Sequence, residues 1–496
     1  MRRQAAHGLK RFLRVVRVRG HDLRQDWGRA ALTFSVGLLV LLAIRIPVVE
    51  QSFLGAFDRQ MMATAFKLRA DEAQGRADPV LFIDIDDRTL SELSPPSRAQ
   101  YDAPIATMPR ALIADILNFV RSSPNPRTAA RAMIVDIDIA APASDGPEGV
   151  ARLRQALTAW AADANAPPLI IAREAFPGGL MQQPDSTVPV LPTSPYDDVV
   201  DSSQNIYWST VKALADKDNV VREFRPYECV RRPQGVVPLF SAAMLAYGFM
   251  EEPGVLRDAA ARHWMNEARP RCETAPDVVD SHGEVINFHL SLPRFNQQTN
   301  VWPDLPDDWP GYRDCGRNDV ASMRQLAAVD LVQAAQAPDA ARDVLCRRLV
   351  ILGGTNGVGN DFVQTPLDDM SGSMVLANAI TGLQMTHGGM RQAPLYVQIV
   401  LLLVVCLGIS GSFVLSERAR KRYARLRKLG LKRPWWRKAA LLSLNPVILN
   451  TALAFGSHWL GVSLLLVSLS LGYWGYLSAP AFAAAITETI LDFADA

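Results

Sequence analysis

Hydrophobic residues fall along this chain in two rhythms. Long apolar runs stand near the two ends, and short apolar runs alternate with amphipathic stretches between them. The first long run covers residues 29–49, and the second, PLYVQIVLLLVVCLGISGSFVL, covers 394–415. Residues 439–480 hold enough apolar length for two more, divided at Gly456-Ser457-His458-Trp459. Each run is close to the ~20 residues a helix needs to cross a bilayer. A single run reads equally well as a buried core helix. Four of them, three crowded toward the C-terminus, read as transmembrane helices over 29–49, 394–415, 439–457 and 459–480. The segment ahead of the first run is longer than a signal-peptide n-region, and no A-x-A-like site follows it. It therefore reads as a retained anchor.

Between these runs the period changes. Phe53, Phe57, Met61, Ala65 and Leu68 recur at helical spacing, which predicts a juxtamembrane helix within 50–77. VLFIDID (80–86) is a β-rich run. Pro109 opens a predicted helix whose Leu112, Ile113, Ile116, Leu117 and Val120 share one face, proline being favoured at the first helical position. Residues 131–140 read as a second strand, 148–162 as a helix and 168–172 as a third strand. The stretch 177–205 reads as loop, Asp218-Asn219 as a turn between two strands, 238–249 as a helix and Ile286-Asn287-Phe288 as a strand. The tryptophan- and proline-rich 297–320 reads as loop. RLVILGG (348–354) is an apolar strand closing on Gly353-Gly354. Apolar strands alternating with amphipathic helices predict a helix-covered, largely parallel sheet. The expected fold class is thus an α/β domain over 78–393 plus four transmembrane α-helices, one N-terminal and three C-terminal.

Charge sets the orientation. Residues 1–29 hold nine Arg/Lys, and 417–438 (ERARKRYARLRKLGLKRPWWRK) hold eleven. Both flank spans, so they read as cytoplasmic segments (1–28 and 416–438) facing lipid headgroups rather than nucleic acid. This predicts a multi-pass protein of the inner (plasma) membrane. Residues 50–393 are periplasmic or extracellular, both termini are cytoplasmic, and 481–496 form a short tail. Arg45, near the outer end of the first span, is placed to snorkel.

Four of the five cysteines, Cys229, Cys272, Cys315 and Cys346, fall in the exported region, and Cys406 lies in a span. Two disulfides with three connectivities are allowed. Proximity favours Cys229–Cys272 and Cys315–Cys346. None has C-x-x-C zinc spacing.

The candidate chemistry is carboxylate-rich. FIDID carries Asp84 and Asp86, IVDID carries Asp136 and Asp138, and ligands of parallel sheets bind beyond the carboxyl ends of such strands. Period-two alternation aims each pair at one face. Gly353, Gly354, Asn356 and Asp361 of LGGTNGVGND emerge at the same edge. On neighbouring strands the carboxylates would lie roughly 5–7 Å apart and repel by about 3 kcal/mol per pair. An arginine (Arg88 or Arg110), a shared proton or a bound cation would offset this. The competing reading is that some aspartates cap helices or face solvent. No other cofactor is implied.

Asp84-Ile85-Asp86 with Gly357-Val358-Gly359-Asn360-Asp361 also resembles the motif pair of haloacid-dehalogenase-type phosphatases. Thr89 is one residue too far along, however, and Val358 stands where that family has aspartate. There is no P-loop, no G-x-S-x-G and no H-E-x-x-H. His282 and His289 read as structural.

A longer ordered set of motifs resembles the type-two CHASE domain, the cyclase/histidine-kinase-associated sensory extracellular domain. Ile85-Asp86-Asp87-Arg88-Thr89-Leu90, Pro109-Arg110, Asp136, Asp216–Arg222, Ile286-Asn287-Phe288, Val350–Gly353, Asp361, Thr365-Pro366 and Asn378 match that family's pattern over roughly residues 50–390. Asp84 and Asp138 are extra charge, Thr107-Met108 replace a tryptophan-rich segment, and Asn219 replaces a turn glycine. The resemblance implies a non-catalytic sensor flanked by spans. The family often carries a cytoplasmic output domain, and the residues after Pro480 are too few for one. The expected function is a transmembrane sensor or receptor subunit. Its ligand-binding candidates are Asp84, Asp86, Asp87, Arg110, Asp136, Asp138, Gly353, Gly354, Asn356 and Asp361. Its partners would be the bilayer, a separate output or envelope protein, and a second copy through the spans. A scaffold role in an envelope complex is the alternative.

Overall fold

The computed structural model describes residues 27–46, 49, 53–69, 79–93, 109–122, 129–140, 145–176, 188–215, 218–251, 268, 270, 272–273, 284–286, 323–334, 345–355, 362–386, 391–410, 463, 473–474 and 478–494. The chain divides into two compact units. One runs from Phe66 to Met390, and the other comprises the chain up to Ala65 and from Arg391 onward.

The Phe66–Met390 unit is built on six parallel strands. In chain order they are β1 (Val80–Asp84), β2 (Ala132–Val135), β3 (Leu169–Ala172), β4 (Ile206–Ser209), then, after β5–β9 described below, β10 (Met323–Ala327) and β11 (Leu349–Gly353). Their spatial order is β10-β1-β11-β2-β3-β4. The expected α/β architecture with a parallel sheet is therefore present. β1, β2, β3 and β11 are buried on both faces, which is why they read as continuous apolar runs.

Alternation along the strands divides the core. Leu81, Ile83, Met133, Val135, Leu169, Ile171, Val350 and Leu352 face one layer, against α2 (Arg110–Arg121) and α3 (Gly146–Ala162). Leu112, Ile113, Ile116, Leu117 and Val120 of α2 are all buried there, as their spacing predicts. The opposite face carries α5 (Ala242–Glu251) on β2 and β3, and α7 (Gly372–Met385) on β11; α5 and α7 pack together. Two short helices, α1 (Asp87–Leu93) and α6 (Ala328–Ala334), close the β10 edge, and α4 (Asp197–Ser202) lies within the stretch read as loop.

Outside the main sheet, β5 (Ala213–Ala215), β6 (Val221–Phe224) and β9 (Glu284–Val285) form an antiparallel sheet. Two hairpins, β7–β8 (Tyr227–Arg232, Gly235–Phe240) and β12–β13 (Phe362–Thr365, Asp368–Ser371), complete the unit. The Asp218-Asn219 turn joins β5 to β6. Asn219 has φ 61°, a left-handed conformation that asparagine tolerates. The Asp218 carboxylate accepts from both terminal guanidinium nitrogens of Arg222 at 2.8 Å. Cys229 and Cys272 form the expected disulfide. Cys346 is also disulfide-bonded, and Cys315 lies outside the described residues.

Several boundaries differ from expectation. The strand expected at Ile286-Asn287-Phe288 is met by β9, which ends at Val285, and 287–288 lie outside the described residues. Pro109 (φ −62°, ψ 122°) precedes α2 rather than opening it; the Arg110 and Ala111 amides are instead capped by the Asp145 carboxylate at 3.0 and 2.8 Å. The strand expected over 131–140 ends at Val135. The helix expected from Pro238 begins only at Ala242, because Leu239 and Phe240 pair with β7 and the Ser241 hydroxyl accepts from the Met244 amide.

In the other unit, Trp27–Ile44 is long and apolar enough to cross a membrane, and Leu395–Ser410 and Ala479–Leu491 are shorter apolar helices. Leu41, Leu402, Val405, Ile409, Ala481, Ala484 and Ala485 form their shared core. The residues after Pro480, expected as a tail, are helical from Ser478 to Ala494. The expected spans at 439–457 and 459–480 fall almost entirely outside the described residues. The predicted juxtamembrane helix is observed as Phe53–Arg69.

Candidate functional site

The carboxyl edge of β1, β11 and β2 gathers most of the expected residues, in a different arrangement from the one expected. β11 lies between the two aspartate strands, so β1 and β2 are not neighbours. Asp84 stands opposite Gly353, and Val135 opposite Leu352, which brings Asp136 level with Gly353 on the far side. The row across the sheet is thus Asp84, Gly353, Asp136, all on the face that carries α7. Two strand spacings, roughly 9–10 Å, replace the expected 5–7 Å. Repulsion at that distance falls below about 2 kcal/mol at an effective dielectric near 20.

Gly353 is required by a close approach. A Cβ there would lie 1.9 Å from the Ser373 hydroxyl oxygen and 2.9 Å from the Ser373 Cβ. Into that space the Ser373 hydroxyl reaches from the first turn of α7 and donates to the Asp136 carboxylate at 2.6 Å. The positive end of the α7 dipole also favours a carboxylate there.

Asp84 is 4% exposed. One oxygen accepts from the Thr355 amide at 2.9 Å, and the other accepts from the Thr355 hydroxyl at 2.6 Å and Gln325 Nε2 at 2.7 Å. Burial raises its pKa above the ordinary aspartate value; the Thr355 and Gln325 hydrogen bonds oppose this and nearby Asp86 adds to it. Hydrogen-bond donors, rather than an arginine, surround this carboxylate.

Asp86 and Asp87 belong to a helix start. The Asp86 carboxylate accepts from the Thr89 amide at 2.7 Å and the Thr89 hydroxyl at 2.6 Å, capping α1. The buried Thr89 oxygen in turn accepts from the Val329 amide at the start of α6, at 3.3 Å. Asp87 is exposed in the first turn. Arg88, offered as a neutralising partner, points elsewhere and pairs with Glu92 and Asp330 at 2.8 and 3.0 Å.

Asp138 is not on a strand face, because β2 has already ended. Its carboxylate accepts from the Ala140 amide at 2.8 Å, folding a turn, and from the Glu174 amide at 3.4 Å. Arg110 does reach this segment: its guanidinium donates to the Asp138 carbonyl at 3.2 Å. Arg110 is almost fully buried, and burial lowers its pKa against the opposing pull of Tyr196, Asp138 and Asp145. Burial likewise raises the pKa of Tyr196 beside it, while Arg110 pulls it down.

Gly353 and Gly354 lie at the edge as expected, whereas Asn356 and Asp361 lie outside the described residues. Among the described residues no three metal-ligating side chains converge. Sequence reasoning missed Gln325, Thr355, Ser373 and Asp145. It also missed Arg173, which follows β3. The Arg173 side chain is buried, pairs with Asp197 at 2.5 Å and lies 4.6 Å from the Trp208 ring centroid. Thr355 had a legible signal, the Gly353-Gly354 turn just before it; the others lie far away in sequence.

Among the described residues, this edge holds its carboxylates in hydrogen bonds to nearby donors. Asp84 is buried and ringed by donors. No curated protein and no solved structure matches the chain. The CHASE2 domain matches residues 36–412, which is most of the chain, so this protein belongs to the CHASE2 family of sensory extracellular domains.

Proposed function

We propose that the protein is a transmembrane sensor subunit. Its α/β unit, exported between the spans at 29–49 and 394–415, binds a small ligand, ion or envelope partner. Further spans at 439–457 and 459–480 and a cytoplasmic basic loop at 416–438 complete a multi-pass topology, and a separate cytoplasmic or membrane protein receives the signal. The observation that carries this reading is the extent of the family match. It begins within Trp27–Ile44 and ends just past Leu395–Ser410, so the sensory module includes an apolar helix at each end. A ligand must bind two states of the α/β unit with different affinity for such a device to signal.

The test is affinity capture of the full-length protein from its native membrane, with and without the small-molecule fraction of the surrounding medium. Ligand-dependent association with a second protein supports the sensor. Association with an envelope protein that no small molecule alters sinks it in favour of a scaffold.

A further inference from the structure

The α/β unit contains a cavity of about 310 Å³. One wall is Val221, Phe224 and Ile286, from the small β5–β6–β9 sheet and its margin. The other is Val375, Leu376 and Ala379 of α7. Thr210 and Ser241 also line it, but their hydroxyls are engaged locally, accepting from the Lys212 amide at 3.3 Å and the Met244 amide at 3.1 Å. No carboxylate lines it among the described residues.

One cation reaches the lining. Lys212 lines the cavity with a half-exposed side chain, and its ammonium lies 3.5 Å from Glu228. Arg225, adjacent to the lining residue Phe224, lies 3.4 Å from the same buried carboxylate oxygen. Lys212 is thus the charged side chain in the cavity lining among the described residues, and it shares Glu228 with Arg225.

We infer that this cavity binds a small anionic amphiphile, a short acyl chain in the chamber with its carboxylate at Lys212. The volume lies at the lower end of the range of about 300–1,000 Å³ typical of ligand pockets, which excludes a diacyl lipid. The inference rests on the sensor reading and gives it a ligand class. It also gives that reading a device, because α7 carries both the cavity wall and Ser373, whose hydroxyl holds Asp136 at the carboxylate row.

The experiment uses the full-length protein in neutral-lipid nanodiscs, with empty nanodiscs as blank. Octanoate, octan-1-ol and octylamine are titrated by calorimetry. Octanoate is expected to saturate and to bind more tightly than either control. Lys212→Gln should weaken octanoate about fivefold, the effect of one half-exposed ion pair, and leave octan-1-ol unchanged. Ala379→Phe, which fills the chamber, should abolish octanoate binding while the circular dichroism spectrum stays native. Absence of saturable octanoate binding, equal binding of octylamine, or indifference to Lys212→Gln overturns the assignment. Capture of the partner protein is scored separately, so a failed cavity and a failed sensor give different results.

Discussion

Ser373 donates to Asp136 at 2.6 Å through the space that a side chain on residue 353 would fill. This joins the N-terminus of α7 to the carboxyl end of β2 across the intervening β11. Gly353→Ala is expected to destabilise the α/β unit by about 1–3 kcal/mol, the usual cost of overpacking. Adding Ser373→Gly removes both clashing atoms, so the double variant should recover part of that loss. Denaturant unfolding of the full chain in nanodiscs measures it. A double variant as unstable as the sum of the two singles would show that the clash is not the cause.

Asp84 makes stability depend on pH in an unusual direction for a carboxylate. Its folded pKa is raised by burial, so below the unfolded value of 3.8 its contribution is fully present. That contribution is lost as pH rises from 3.8 through the folded pKa. Asp84→Asn keeps an acceptor for Thr355 and cannot ionise. The stability of the wild type relative to Asp84→Asn should therefore fall across this window and level off above it. Asp84→Leu should cost at least about 2 kcal/mol at any pH, because the donors of Thr355 and Gln325 lose their acceptor. Melting temperatures from pH 3.5 to 8 decide the matter, and a constant wild-type-minus-Asn difference would contradict the assignment.

What was legible in the chain follows from how local the physics is. The apolar face of α2 is encoded in five residues within two turns, and the parallel core in strands buried on both sides. Asp86 caps α1 through Thr89 three residues away, a reach that sequence patterns express, although the crowded carboxylates read as a ligand site. β10 was not legible: Met-Arg-Gln-Leu-Ala is an edge strand with mixed polarity. α7 is buried from Ser373 to Leu383 and shows no polar face to mark its period. The insertion of β11 between β1 and β2 pairs residues more than two hundred positions apart, and no local pattern records it. That insertion is why the two aspartate strands do not repel as expected.

The Cys229–Cys272 bridge ties β7 to a segment 43 residues later. A loop of that length implies a chain-entropy contribution of about 4 kcal/mol. Replacing both cysteines with serine should lower the unfolding free energy by roughly 2–4 kcal/mol. Reductant should lower the wild type further than this variant, since Cys346 is bridged as well. Equal stability of the variant and the oxidised wild type would remove the bridge from the account.

Glu488 is the buried acid of the helical unit, 1% exposed. It accepts from Thr33 at 3.0 Å, Ser410 at 2.5 Å and Arg29 at 3.1 Å, so one carboxylate links all three apolar helices. Removing one partner of such a buried ion pair costs about 3–5 kcal/mol. Glu488→Ala should therefore loosen the three-helix packing strongly. Glu488→Gln should do so less, because its amide oxygen still serves Thr33 and Ser410 while only the charge opposite Arg29 is lost. A titration with sodium dodecyl sulfate, following helicity, ranks the three proteins. The expected order of midpoints is wild type, then Gln, then Ala; an unchanged midpoint in Glu488→Ala would mean that apolar contacts such as Leu41 with Leu402 hold these helices without the acid.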